Sequence, residues 1–173
     1  TILNKQYKSL YLIPEGGENL AGVRGCLEMG QAVEAQMSRL FASAEYTICC
    51  AVATGSSFAG LIAASPPRAK CLGISVLKGE DTLTAKVEHW LSLLGLQGSE
   101  QWQLCNQYHP GGYARVTPEL LAFMGELELL NNIKLDPVYT AKLLWAVKEL
   151  AMQQHWPRSA SISSKITNIV AIH

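Results

Sequence analysis

The stretch that decides the fold is Tyr46-Thr47-Ile48-Cys49-Cys50-Ala51-Val52-Ala53, followed at once by Thr54-Gly55-Ser56-Ser57. Eight residues without a charge, rich in β-branched and small apolar types, suit a strand buried on both faces. The small polar residues after it mark a turn, and a helix is expected to begin near Phe58-Ala59. Cys71-Leu72-Gly73-Ile74-Ser75-Val76-Leu77 is a second run of the same kind, stopped by Gly79. Trp102-Gln103-Leu104-Cys105 is a weaker one, and Ile169-Val170-Ala171-Ile172 lies near the end of the chain. Leu10-Tyr11-Leu12-Ile13, ahead of Pro14 and Gly16-Gly17, reads as a further short strand.

Helical patterns fill the gaps. Residues 20 to 40 read as one helix, with Leu27, Val33, Met37 and Leu40 among its apolar positions. Leu83, Val87, Trp90, Leu91 and Leu94 form a stripe at helical spacing. Leu120, Phe123, Met124, Leu127 and Leu130 form another, with Thr117 as cap and Pro118 in the first turn. Asp136-Pro137 opens a helix over 138 to 152 that is apolar on most sides. Strands alternating with helices predict an α/β fold: an open, mostly parallel sheet with helices on both faces, in three layers. Pro66-Pro67 and Gly98-Ser99 read as loops, so residues 1–173 are expected to form one domain.

Composition narrows the function. Of 173 residues, 49% are hydrophobic and 16% charged, which is enough for a buried core and too apolar for a disordered chain. Lys plus Arg and Asp plus Glu are 14 each, so the basic excess of a phosphate-neutralising nucleic-acid binder is absent. No apolar run is long enough to span a bilayer. Five cysteines, Cys26, Cys49, Cys50, Cys71 and Cys105, sit in apolar segments without a Cys-x-x-Cys pair. They read as small core hydrophobes in a reducing, cytoplasmic setting. The N-terminus shows no signal peptide and no initiating Met, so an upstream segment is expected to have been removed.

Three places carry candidate chemistry. At Thr54-Gly55-Ser56-Ser57 a buried strand delivers hydroxyls and free backbone N–H groups to a helix start, where an anion is favoured. This is a possible phosphate cradle, and equally a Gly-Ser turn that caps an ordinary helix. It is neither a Walker motif nor Gly-x-Gly-x-x-Gly, which leaves an unrelated dinucleotide-binding domain as a weak alternative. Gly16-Gly17-Glu18-Asn19 is a second Gly-rich turn. Leu135-Asp136-Pro137-Val138-Tyr139-Thr140-Ala141-Lys142 is the third place. Tyr139 either serves as an acid or base there or fills core space with one hydrogen bond. Asp136 reads as a cap. His109-Pro110-Gly111-Gly112-Tyr113 is a loop with a second tyrosine, and the four histidines show no metal-ligand spacing.

"YLIPEGGENLAGVRG", "CAVATGSSFAGL" and "LDPVYTAKLLWAV" resemble, in this order, segments of the D-cysteine desulfhydrase and 1-aminocyclopropane-1-carboxylate deaminase family. These are pyridoxal-phosphate enzymes of the tryptophan-synthase-β fold group. "HPGGYARVTPELLAFM" sits where that family has a loop carrying a tyrosine, and "NIVAIH" is similar to its strand before a Thr-Gly-Gly loop. The resemblance runs from about Tyr11 to His173. It implies the large domain of such an enzyme. Thr54, Gly55, Ser56 and Ser57 would hold the cofactor phosphate. Tyr139 would face the substrate as acid–base group or nucleophile, and Tyr113 would be the second active-site tyrosine. Thr140 would lie by the pyridine nitrogen, where the cyclopropane-opening deaminases usually have Glu. A Thr there hydrogen-bonds a neutral nitrogen, which suits β-elimination, as in a desulfhydrase.

The resemblance also implies what is missing. Family members are roughly twice as long, and their Schiff-base lysine lies in an early Asn-Lys segment. None of Lys5, Lys8, Lys70, Lys78, Lys86, Lys134, Lys142, Lys148 and Lys165 lies in such a segment. The chain is therefore expected to be the C-terminal part of a pyridoxal-phosphate-dependent deaminase or lyase acting on a small amino acid. It would lack the lysine and most of the small domain, and be inactive alone. The family further implies a homodimer, without nucleic acid, membrane or metal. The alternative is a non-catalytic α/β module that binds a phosphorylated ligand or a partner subunit.

Overall fold

The computed structural model describes residues 9–42, 44–79, 82–97, 101–153 and 169–172. Its core is a four-stranded, wholly parallel sheet of β1 (Tyr46–Val52), β2 (Ala69–Ser75), β3 (Trp102–Cys105) and β4 (Ile169–Ala171), in the order β3-β2-β1-β4. β1 and β2 are the inner pair, in register from Tyr46 opposite Ala69 to Val52 opposite Ser75. That is why their sequences are apolar on both faces. Along β1, Ile48, Cys50 and Val52 point to one layer of helices, and Cys49 and Ala51 to the other.

The first layer is α1 (Leu20–Phe41), α2 (Ser56–Ala64) and α3 (Leu83–Leu93). Val23, Met37, Phe58, Leu61, Leu83, Val87 and Leu91 fill its interface with the sheet. α1 and α2 touch closely at Gly60, where an added Cβ would stand 2.5 Å from Cys26 Cβ and 2.6 Å from the Val23 carbonyl oxygen. The second layer is α5 (Thr140–Met152), which lays Leu143, Ala146 and Leu150 on Cys49, Leu72 and Ile74. α4 (Pro118–Asn131) backs α5 through Leu120, Phe123 and Ala141. The α/β, three-layer architecture expected from the run-and-stripe pattern is the one observed.

The cap read at Thr117 is made: its Oγ1 accepts from Leu120 N at 3.3 Å. Asn19, read only as part of a Gly-rich turn, also caps a helix, its Oδ1 accepting from Gly22 N at 2.8 Å. Cys49, Cys50 and Cys71 are buried free thiols, and Cys26 and Cys105 are half-buried. Four expectations are corrected. Leu10 to Ile13 form no strand and are exposed, because no strand among the described residues lies beside them to pair with. Leu40 and Leu130 lie at exposed helix ends, beyond the packed part of their stripes. α2 begins at Ser56, two residues earlier than expected, because Gly55 turns the chain directly into the helix. Lys142, within the helix read as apolar, is fully buried.

Candidate functional site

The carboxyl ends of β1 and β2 open into a cavity of about 860 Å³, the place where open parallel sheets gather ligands. Its floor is Ala53, Thr54, Gly55, Ser57 and Phe58, at the passage from β1 into α2. Gly55 makes this passage possible. Its φ is +91°, and a Cβ there would press on Val87 Cγ2 at 3.1 Å and Leu83 Cδ1 at 3.5 Å. Both the backbone angle and the packing of α3 exclude a larger residue.

With glycine at the N-cap, no side chain caps α2. The N–H groups of its first turn lack intrahelical acceptors and carry the positive end of the helix dipole. Ser56 is buried, and its Oγ has no hydrogen-bond partner. A buried hydroxyl without a partner is uncommon and calls for a ligand or water to complete it. Unpaired donors at a helix start beside an open cavity fit a phosphate group.

The opposite wall comes from α5 and the loop before α4. Asp136 precedes α5 and binds its first turn. Oδ1 accepts from Val138 N at 2.9 Å and Tyr139 N at 2.7 Å, and Oδ2 accepts from Thr140 N at 2.9 Å. Asp136 is partly desolvated, which works against its charge. The donors of Thr140, Tyr139 and Val138 outweigh this and hold its carboxyl below the usual range. The expected cap is thus made. Thr140 Oγ1 also donates to Asp136 Oδ2 at 2.6 Å. The single hydroxyl hydrogen of Thr140 is directed at the carboxylate, its oxygen accepts from Asp136 N at 3.1 Å, and the residue lines the cavity.

Tyr139 and Tyr113 meet at the rim, their ring centroids 6.3 Å apart in an edge-on arrangement. The hydrogen bond with Tyr113 raises the Tyr139 phenol above its ordinary pKa, with burial and the charges of Asp136 and Glu15 adding to it. The Tyr139 phenol lies at the cavity as a neutral hydroxyl, able to hold or pass a proton, with the Tyr113 ring beside it. Cys50 also lines it, but burial pushes that thiol up to about 12, so it offers no thiolate.

Of the residues singled out from the sequence, Thr54, Gly55, Ser57, Tyr113, Tyr139 and Thr140 line this one cavity, while Ser56 is buried and is not among its lining residues. Glu15, Gly16 and Leu77 also line it. Gly16 belongs to the second Gly-rich turn, while Glu15 carried no signal beyond its place beside that turn. Among the described residues no group of three metal-ligating side chains occurs, and no helix is long and apolar enough to cross a membrane. His155 and His173 lie outside the described residues.

Known proteins resemble this chain in sequence and in fold. A Thermotoga maritima protein, provisionally named 1-aminocyclopropane-1-carboxylate deaminase, is 31% identical over 154 residues. The match covers 84% of this chain and 48% of that protein. The D-cysteine desulfhydrase of Klebsiella pneumoniae is 28% identical, over 78% of this chain and 42% of the enzyme. No family model matches. A crystal structure of an ACC deaminase homologue superposes with a TM-score of 0.75 at 24% identity. It covers 94% of this chain and 48% of the other, and the likeness is one of fold. The chain spans about half the length of the curated relatives it matches. Relatives bearing the two names of the family read from the motifs align with 78 to 86% of it.

Proposed function

We propose that this chain forms the phosphate-holding and tyrosine-bearing part of a pyridoxal-phosphate-dependent deaminase or lyase that acts on a small amino acid. The observation that carries the reading is the uncapped start of α2, which puts Thr54, Gly55 and Ser57 on the same cavity as Tyr139, Tyr113 and Thr140, with the unpartnered Ser56 hydroxyl buried between Gly55 and Ser57. The first-turn N–H groups of α2, with Thr54, Ser56 and Ser57, would hold the cofactor phosphate. When bound, pyridoxal phosphate supplies the electron sink that makes the α-carbon of an amino acid acidic.

The chain's own residues then have defined tasks. Asp136 fixes Thr140 at the cavity, where it would lie by the cofactor's pyridine ring. Because the Thr140 hydrogen is committed to Asp136, what it offers the ring is an acceptor; donation to a neutral nitrogen would require that hydrogen to turn away. Tyr139, neutral at physiological pH, holds a proton at its Oη for delivery to the substrate, and Tyr113 steadies it. Among the described residues no lysine lines the cavity. In our reading the chain by itself binds the cofactor without turnover, and the amine that would anchor it comes from outside the described residues. The family names favour D-cysteine or 1-aminocyclopropane-1-carboxylate as substrate, and a homodimer as the working unit.

The test is binding of pyridoxal 5′-phosphate against pyridoxal, read by quenching of tryptophan fluorescence. We expect the phosphorylated form to bind at least about tenfold tighter, the worth of one or two charge-assisted hydrogen bonds. Ser56→Ala with Ser57→Ala should weaken that preference without lowering the melting temperature, the remainder coming from the backbone N–H groups and Thr54. Equal affinity for both forms would refute the phosphate cradle. The non-catalytic alternative predicts the same preference but no D-cysteine turnover when the chain is tested within the full-length protein, whereas the enzyme reading predicts turnover there that Tyr139→Phe lowers.

A further inference from the structure

Lys142 is the one charged residue among the described ones that is wholly buried, at 0% exposure. Among the described residues no carboxylate stands within salt-bridge distance of its ammonium. Instead Nζ donates to the Gly112 carbonyl oxygen at 2.7 Å and to the Val76 carbonyl oxygen at 3.4 Å. Val76 follows β2 and is itself bonded to β1, its N–H donating to the Val52 carbonyl oxygen at 3.0 Å. Gly112 sits in the loop between β3 and α4, next to Tyr113. A lysine on α5 thus ties that loop to the rigid ends of the inner strands.

We propose that Lys142 is a positioning residue, whose ammonium holds the Gly112 carbonyl so that Tyr113 stays against Tyr139. Burying a charge is costly, and a helix that needed only packing here would carry Leu or Met. The site does not use the amine directly, since Lys142 does not line the cavity. Without the clamp the loop has little else to fix it. Tyr113 and Ala114 to Val116 are exposed, and the loop's other hydrogen bonds run within itself, from Gly112 N to the His109 carbonyl oxygen and from Arg115 N to the Gly112 carbonyl oxygen. Burial lowers the affinity of Lys142 for its proton, and the charge of Asp136 works the other way. The groups that face Tyr139 are Tyr113 from the loop, Asp136 ahead of α5 and Glu15 from the turn before α1.

The experiment reads the tyrosines one by one, by NMR titration of ring-labelled protein. In the unaltered chain the Tyr139 phenol titrates above its ordinary range. Lys142→Met should return it toward that range, as Tyr113→Phe should, and the double variant should move it no further than either alone. Tyr46, raised by its own burial and its bond to Glu34 at the opposite end of β1, is the internal control. It should stay where it is. In the same variant, tryptic cleavage after Arg115 should quicken by about tenfold as the loop opens locally. An unmoved Tyr139 in folded Lys142→Met, additive shifts in the double variant, or a Tyr46 that moves alongside would overturn the proposal. Should Lys142→Met not fold, the unaltered chain still decides. A slowly exchanging lysine ammonium with a contact to Gly112 supports the clamp, and its absence overturns it.

Discussion

Gly55 shows how much one residue settles. A side chain there is opposed by the backbone angle and by the wall of α3, so Gly55→Ala should cost about 1 to 3 kcal/mol in urea unfolding. Asp136 spends both carboxylate oxygens on the first turn of α5. Asp136→Ala should cost about 1 to 2 kcal/mol of stability, the worth of a strong cap, and should free the Thr140 hydroxyl hydrogen for a ligand. Ser56 is the opposite case. Its hydroxyl has no partner, so Ser56→Ala should leave the thermal melt of the unliganded chain unchanged or slightly raised. A fall of several degrees would mean the hydroxyl has a partner in solution. Only the side-chain types of these residues were readable in advance. That Asp136 caps was legible from Asp-Pro before an apolar run. That it also takes the Thr140 hydrogen was not, since a bond of that kind depends on which rotamers the helix start permits.

At the scale of elements, one corner joins α1, β1 and β2. Tyr46 Oη donates to Glu34 Oε2 at 2.5 Å, and Arg68 pairs with Glu34 at 2.6 Å while also reaching Ser38 and the Ala42 carbonyl. The Tyr46 hydrogen bond, helped by Ser38 and Arg68, holds the Glu34 carboxyl down to about 2, from 4.5. Its folded-state value is depressed, so the stability it brings is present above the unfolded value and lost as pH falls through about 4.5 toward 2. Glu34 keeps some contact with water, which reduces its contribution to about 1 to 2 kcal/mol. Urea midpoints measured from pH 6 to pH 2.5 should therefore fall in the unaltered chain, and Glu34→Gln should flatten that part of the slope. Nothing in the sequence marked this corner, because its members are distant along the chain and none belongs to a motif.

For the whole molecule, the hydrophobic stripes were legible where they face the sheet and misleading where they run past it. Leu129 and Leu130, at 86% and 71% exposure, lie at the end of α4. Replacing both with Lys should alter unfolding by no more than about 0.5 kcal/mol. A larger loss would show that this end is covered in solution. The sequence by itself determined the class of fold and most of the candidate site. Continuous apolar runs require strands covered on both sides, stripes at helical spacing supply the cover, and small polar residues after a buried strand must fall at the sheet's carboxyl end. Tertiary structure alone decided that Tyr113 and Tyr139 meet, that Leu10 to Ile13 find no strand partner among the described residues, and that Lys142 lies inside. Each of these depends on what another part of the chain places alongside, and local pattern carries no record of partners thirty or sixty residues away.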